Sequence, residues 1–166
     1  MAEIFTTYYQ SPIGLLKISG TEEYICEIVF NDKIQKASEH KKKHYPKILI
    51  HCIEQLMEYF DGQRTTFDLP IHQEGTDFQS AVWKLLSEIE YGKTMSYHEL
   101  AKEYGNANAS RAVASANGKN NISIVVPCHR VIGSNHELTG YSGGLWRKKW
   151  LLELEAKVAY GVQTLF

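Results

Sequence analysis

The texture of the chain changes once, at residues 72–76 ("HQEGT"), and that change narrows the possible folds more than any other feature. Upstream, "YYQSPIGLLKISG" places two β-prone runs around a Ser-Pro-Ile-Gly turn, which predicts a hairpin. "YICEIVF" reads as a third strand, ended by Asn31-Asp32. From Lys47 to Phe60, apolar residues at 48, 49, 53, 56, 57 and 60 have helical spacing, and Asp61-Gly62 stops the run. "ASEHKKKHYP" predicts a solvated helix or loop, and "TTFDLPI" a short edge strand, because proline cannot donate to a ladder. Downstream, the signals are helical. Thr76 with Gln79, and Ser96 with Glu99, have capping-box spacing. Phe78, Val82, Leu85, Leu86 and Ile89 line one face after the first box. "YHELAKEY" ends at Gly105-Asn106 and "SRAVASAN" at Gly118. "ISIVV" predicts a β-branched strand, and "LWRKKWLLELEAKV" a final amphipathic helix. The expectation is an α+β protein with a small N-terminal α/β domain at 1–72 and a mainly helical domain at 73–166.

Composition narrows the class. The chain has 166 residues, 43% hydrophobic and 22% charged, which suits a globular protein with a real core. No run approaches the roughly 18 apolar residues of a membrane span, so no membrane association is expected. "MAEIFTTYYQSPIG" lacks the basic and apolar regions of a secretory signal, and a cytoplasmic location is expected. Cys26, Cys52 and Cys128 are odd in number and widely spaced, which implies neither a disulfide framework nor a structural zinc site. The net charge is −1, yet residues 93–150 carry eight Lys/Arg against three Asp/Glu. Such a local excess suits an anionic partner or a solvated surface.

The chemistry concentrates in "VVPCHRVIG", residues 125–133. A thiol attacks as its thiolate, and an unperturbed cysteine, with a pKa of about 8.5, is mostly protonated at neutral pH. His129 is a candidate base for Cys128, Arg130 adds positive charge, and Glu137, Glu153 or Glu155 are candidates to orient the histidine. Taken alone, the pair reads more readily as an inert buried cysteine beside a histidine than as a reactive centre. The helices expected at 96–104 and 108–117, joined by "GNAN", have the layout of a helix-turn-helix. The small residues of the second helix, among them Ala112 and Ser115, allow close approach either to DNA or to another helix.

The longer string "NNISIVVPCHRVIGSNHELTGYSGGLWRKKWLLELE" resembles the methylated-DNA–protein-cysteine methyltransferases, or O6-alkylguanine-DNA alkyltransferases. "PCHRV", "GYSGG" and "KxWLLxxE" carry the resemblance, which extends back through "FQSAVWKLL", "YGKTMSYHELA" and "ASRAVASANGKN" to about residue 76. It implies a ribonuclease H-like N-terminal domain and a winged-helix-like C-terminal domain with a helix-turn-helix. It also implies direct reversal of DNA damage, in which the alkyl group of O6-methylguanine moves irreversibly to the protein, with O4-methylthymine as a second candidate substrate.

By that resemblance Cys128 is the alkyl acceptor, His129 its base through a bridging water, Glu155 the group that orients His129, and Asn120 the support of the cysteine loop. Tyr97 drives nucleotide flipping and helps the guanine leave, and Arg111 fills the gap in the base stack. Ala112 and Ser115 contact DNA. Tyr141, Ser142 and the Val131 backbone contact the flipped guanine. The implied partner is double-stranded DNA containing O6-alkylguanine, bound by a monomer that needs no cofactor and no metal. A binder lacking the reactive cysteine and a cysteine hydrolase are the competing classes. The chain departs from the pattern in three places: Ala114-Ser115 where glycine is commoner, Asn121 where proline is usual, and "SNHEL" without a glycine.

Overall fold

The computed structural model describes residues 2–33 and 44–161, in two compact units, Met1–Gln73 and Glu74–Phe166. Residues 37–43 of the polar stretch lie outside the described residues.

The first unit is a three-stranded antiparallel sheet in the order β1 (Phe5–Ser11), β2 (Gly14–Gly20), β3 (Ile25–Phe30), with one helix, α1 (Lys47–Phe60). The hairpin closes over Pro12-Ile13, with Ser11 opposite Gly14. The Ser11 hydroxyl donates to Gly14 O (2.6 Å) and accepts from Ile13 N–H (3.2 Å). Leu49, Cys52, Leu56 and Tyr59 recur on one face of α1 and are fully buried, as are Leu16 and Ile18 of β2 and Ile25 and Ile28 of β3. The strand expected at "TTFDLPI" shrinks to a single parallel bridge, Ile25 with Ile71. Ile25 N–H donates to Pro70 O and His72 N–H donates to Ile25 O, both at 2.9 Å. Pro70 has no N–H to extend the ladder.

The second unit is built from α2 (Asp77–Leu86), α3 (Tyr97–Tyr104), α4 (Ser110–Gly118) and α5 (Leu145–Tyr160). A two-residue parallel pair joins β4 (Met95–Ser96) to β5 (Val131–Ile132). The capping box of Thr76 and Gln79 is complete. At α3 the Ser96 half is present, its hydroxyl accepting from Glu99 N–H at 3.0 Å. Gly105 ends α3 in the left-handed region, φ 102°, and a 3-10 turn at Ala107–Ala109 leads into α4. The two helices form the expected helix-turn-helix.

Two expectations fail here for instructive reasons. "ISIVV" is not a strand. Val126 N–H bonds back to Ile122 O (3.0 Å), Val125 N–H to Ser123 O (2.8 Å), and Ile124 sits at φ 73°. A β-branched residue in that region is strained by about 1–3 kcal/mol. Two features offset the strain. Ile122, Ile124 and Val126 are at most 2% exposed. The Asn120 side chain also brackets the turn, accepting from Ile122 N–H (3.1 Å) and donating to Ile122 O (3.3 Å) and Val126 O (3.0 Å). The final helix, α5, is not cleanly amphipathic either. It buries Arg147, Lys148 and Glu155 along with Leu151, Leu152 and Ala156, while Leu145 and Trp146 are exposed. The buried ionic groups have specific partners, so polarity alone does not decide which way they face.

Candidate active site

The tight turn delivers the chain to Pro127, and Cys128–Arg130 form one 3-10 turn, closed by Arg130 N–H to Pro127 O at 3.0 Å. Cys128 is 4% exposed. Its own amide bonds to Val126 O (2.8 Å), and its carbonyl accepts from the Asn117 side chain on α4 (3.4 Å). Burial pushes the thiol up. The Asn120 side chain, the Lys148 charge and the amides of Cys128 and His129 all act against that rise. The resting group is therefore a thiol rather than a held thiolate, surrounded by groups that favour its anion.

His129 is fully buried and its Nε2 lies 2.6 Å from Glu155 Oε2. Burial lowers its pKa despite Glu155, so the ring is neutral at neutral pH. With Nε2–H assigned to the carboxylate, Nδ1 carries the free lone pair. Nδ1 is buried and meets no hydrogen-bond partner among the described residues. A buried neutral imidazole with one nitrogen anchored and the other open is arranged as a base.

Glu155 is 1% exposed and would be raised by burial, but His129 and Arg130 outweigh that and hold it at about 2. Arg130 donates from Nε to Oε1 (2.8 Å) and from Nη2 to Oε2 (3.1 Å), a bidentate pair. Its Nη1 reaches Ile89 O (2.6 Å), and Gly92 N–H adds a further bond to Oε1 (3.2 Å). A buried ion pair holds only when its remaining polar atoms are satisfied, and these bonds supply that.

Lys148 is the second buried cation. Its ammonium donates to Val131 O, to Thr139 O (2.7 Å) and to Gly140 O (3.4 Å), and lies 5.8 Å from the centre of the Tyr97 ring. Burial lowers it to about 8, with Cys128 acting in the opposite direction. Tyr97, at the start of α3, donates its hydroxyl to Thr139 O (3.0 Å). These bonds seat the strap 139–144 that carries Tyr141 and Ser142. Gly140 (φ 58°) passes so close to Tyr97 that a Cβ there would stand 3.3 Å from its hydroxyl. Burial pushes the Tyr141 phenol well up, and its surroundings include Cys128 and Ser123. Ser142 is exposed.

Arg111, Ala112 and Ser115 lie exposed on the outer side of α4, while Val113, Ala116 and Asn117 face inward. The indole N–H of Trp83 bonds Ala116 O (2.8 Å), tying α2 to α4. The basic excess expected on the surface of residues 93–150 is smaller than its formal value, because Arg130, Arg147 and Lys148 are all buried. Lys93, Lys102, Arg111, Lys119 and Lys149 remain outside, against Glu99, Glu103 and Glu137. Among the described residues there is no group of three or more His, Cys, Asp or Glu able to hold a metal ion, and no helix long and apolar enough to cross a membrane.

Two family models match this chain: "6-O-methylguanine DNA methyltransferase, ribonuclease-like domain" at residues 4–73, and "6-O-methylguanine DNA methyltransferase, DNA binding domain" at residues 77–157. The chain belongs to the 6-O-methylguanine DNA methyltransferase family. The methylated-DNA–protein-cysteine methyltransferase of Mycolicibacterium paratuberculosis is 44% identical over 156 residues, which is 94% of each chain. That of Methanosarcina acetivorans is 43% identical, over 92% of this chain and 98% of the relative. The crystal structure of Mycobacterium tuberculosis OGT in complex with DNA is 42% identical, covers 92% of this chain and 93% of that one, and has a TM-score of 0.82.

Within this methyltransferase, Cys128, His129, Glu155, Asn120 and Val131 are buried, the half-buried Tyr97 and Tyr141 lie near enough to Cys128 to feel its charge, and Arg111, Ala112, Ser115 and Ser142 stay at the surface. Sequence reasoning missed Lys148 and Asn117 as neighbours of the cysteine turn, and missed that Arg130 is a second partner of Glu155. "LWRKKWLL" carries no local mark separating Lys148 from its exposed neighbour Lys149. The only clue is helical phase: 148, 151, 152 and 155 share one side of α5.

Proposed function

We propose that this methyltransferase repairs double-stranded DNA directly, moving the alkyl group of O6-alkylguanine onto Cys128, once per molecule. The observation that carries this reading is the buried Cys128 turn beside the 2.6 Å His129–Glu155 pair, inside a domain of this family. His129 Nδ1 takes the thiol proton through a water, and Glu155, held by Arg130, stabilises the imidazolium. Lys148 favours the thiolate. Sγ attacks the alkyl carbon, the Sγ–C bond forms as the C–O6 bond breaks, and the electron pair leaves on O6. The Tyr97 hydroxyl, released from Thr139 O, gives its proton to the departing base, and the proton held on the His129 imidazolium returns through water to the phenolate, so the thiol's proton ends on the base. The product is a thioether that no group here hydrolyses, so the protein is consumed.

A thiol 4% exposed cannot reach a stacked, paired guanine, so the nucleotide must be flipped, at a cost of a few kcal/mol. Arg111 on the exposed side of α4 fills the vacated stack from the minor groove, and Ala112 and Ser115 let the helix lie close to the backbone. Tyr141, Ser142 and the backbone of Val131 receive the base, and Asn120 holds the cysteine turn in register. The protein works as a monomer without a cofactor, in the cytoplasm, where its three free cysteines stay reduced.

Intact-mass measurement after incubation with a duplex bearing one O6-methylguanine tests the reading. One added methyl on the peptide containing Cys128, with no second turnover, is expected. Binding without mass gain, or repeated turnover, would overturn it.

A further inference from the structure

The strap 139–144 is fastened at both ends by neighbouring residues of one helical turn. Lys148 holds the first end through Thr139 O and Gly140 O. Arg147 holds the other: its Nη1 donates to Gly143 O at 3.0 Å. Arg147 is only 3% exposed, and a guanidinium is not buried for packing alone. Its charge lies 4.6 Å from the centre of the Trp146 ring. Trp146 is itself 58% exposed and lies along the end of the strap, where a Cβ on Gly144 (φ 95°) would stand 3.3 Å from its Cδ1. Arg147 and Lys148 thus grip one strand of backbone on either side of Tyr141 and Ser142.

We propose that Arg147, braced by Trp146, is a positioning residue that fixes the strap in its substrate-receiving form, so that it governs how well the flipped base is held rather than how fast the thiol reacts. This rests on the reading of Tyr141 and Ser142 as contacts to the base. Three features favour it. Arg147 touches the strap by a backbone carbonyl, so it sets the path of the strap and not the identity of its side chains. Its influence on ionisation falls on the Tyr141 phenol, which it lowers, whereas the groups acting on the Cys128 thiol include Lys148 and not Arg147. Finally, an indole–guanidinium stack restrains the arginine's side chain, which reduces the entropy lost in holding the strap.

The test is single-turnover transfer from an O6-methylguanine duplex at increasing DNA concentration, with binding to undamaged duplex measured alongside. Arg147→Met is expected to raise the half-saturating concentration about tenfold, the loss typical of one charge-assisted hydrogen bond, with the maximal rate and undamaged-duplex binding close to wild type. Arg147→Lys should recover most of the loss. Trp146→Ala, a surface change that leaves folding intact, should give a smaller shift in the same direction. An unchanged half-saturating concentration in both Arg147→Met and Trp146→Ala overturns the proposal. So does a fall in maximal rate or undamaged-duplex binding that matches the rise in half-saturation. A wild-type chain that gains no methyl overturns the reading of the site as well.

Discussion

Cys52 and Cys128 are both buried thiols, and their surroundings could hardly differ more. Cys52 is fully buried on the inward face of α1 that also carries Leu49 and Leu56, and burial, with no opposing influence, pushes it up to about 12. Cys128 is buried as deeply and is raised as well, but an amide side chain, an ammonium and two backbone N–H groups oppose the rise, and a neutral imidazole stands next in the chain. Burial alone makes a thiol inert. Reactivity comes from polar groups brought inside with it, each satisfied by its own partners, so that the anion has somewhere to form.

The sharpest way to break this comparison is to exchange the roles. Cys128→Ser should abolish methyl uptake from damaged duplex while leaving binding to it intact. Cys52→Ser should keep full uptake and show its effect only in thermal melting. Uptake by Cys128→Ser would remove the distinction between the two sites.

A weaker but still large effect is expected from Glu155→Gln. The carboxylate that anchors His129 and Arg130 is lost, and transfer should fall about a hundredfold or more, as for loss of an oriented base. The buried Arg130 is left beside a neutral amide, so denaturant unfolding should register a loss on the order of 3 kcal/mol. The same group sets the acid limit. Its folded pKa, about 2, lies below the ordinary carboxylate value of 4.5, so its stabilisation is present above that value and is lost as pH falls from there toward 2. His129, lowered from 6.5, acts in the same direction as pH falls below that value. In Glu155→Gln the carboxylate part of this acid dependence should vanish from the melting curves.

The smallest effect concerns Lys148. With its pKa near 8, the ammonium should lose its proton as pH rises through that value, and the support for the thiolate should weaken. The rate of transfer should therefore level off or fall above about pH 8, where an unassisted thiol would only gain reactivity. Lys148→Met should be slower, about tenfold at neutral pH for loss of one buried charge interaction, and should lack that alkaline downturn. A wild-type rate that climbs steadily to pH 10 would remove Lys148 from the chemistry.

Legibility followed the range of the interactions. The hairpin at Ser11–Gly14, the Thr76–Gln79 box and the Gly105 stop depend on residues within four positions of one another, and each stands where the local signal puts it. The string around Cys128 was readable as a candidate site only through its resemblance to the family, because a Cys-His pair taken alone does not separate a reactive thiol from an inert one. "ISIVV" misled because β-branched residues favour extended backbone, and the propensity was overridden by the Asn120 side chain and by burial of the turn. The sequence by itself therefore determined the division into two units and the local starts and stops of most helices. The tertiary structure alone decided which of the adjacent charges Arg147, Lys148 and Lys149 turn inward. An ionic side chain can be buried only where carbonyls, carboxylates or rings from distant parts of the chain meet it, and Val131, Thr139 and Gly143 reach α5 only once the fold has formed.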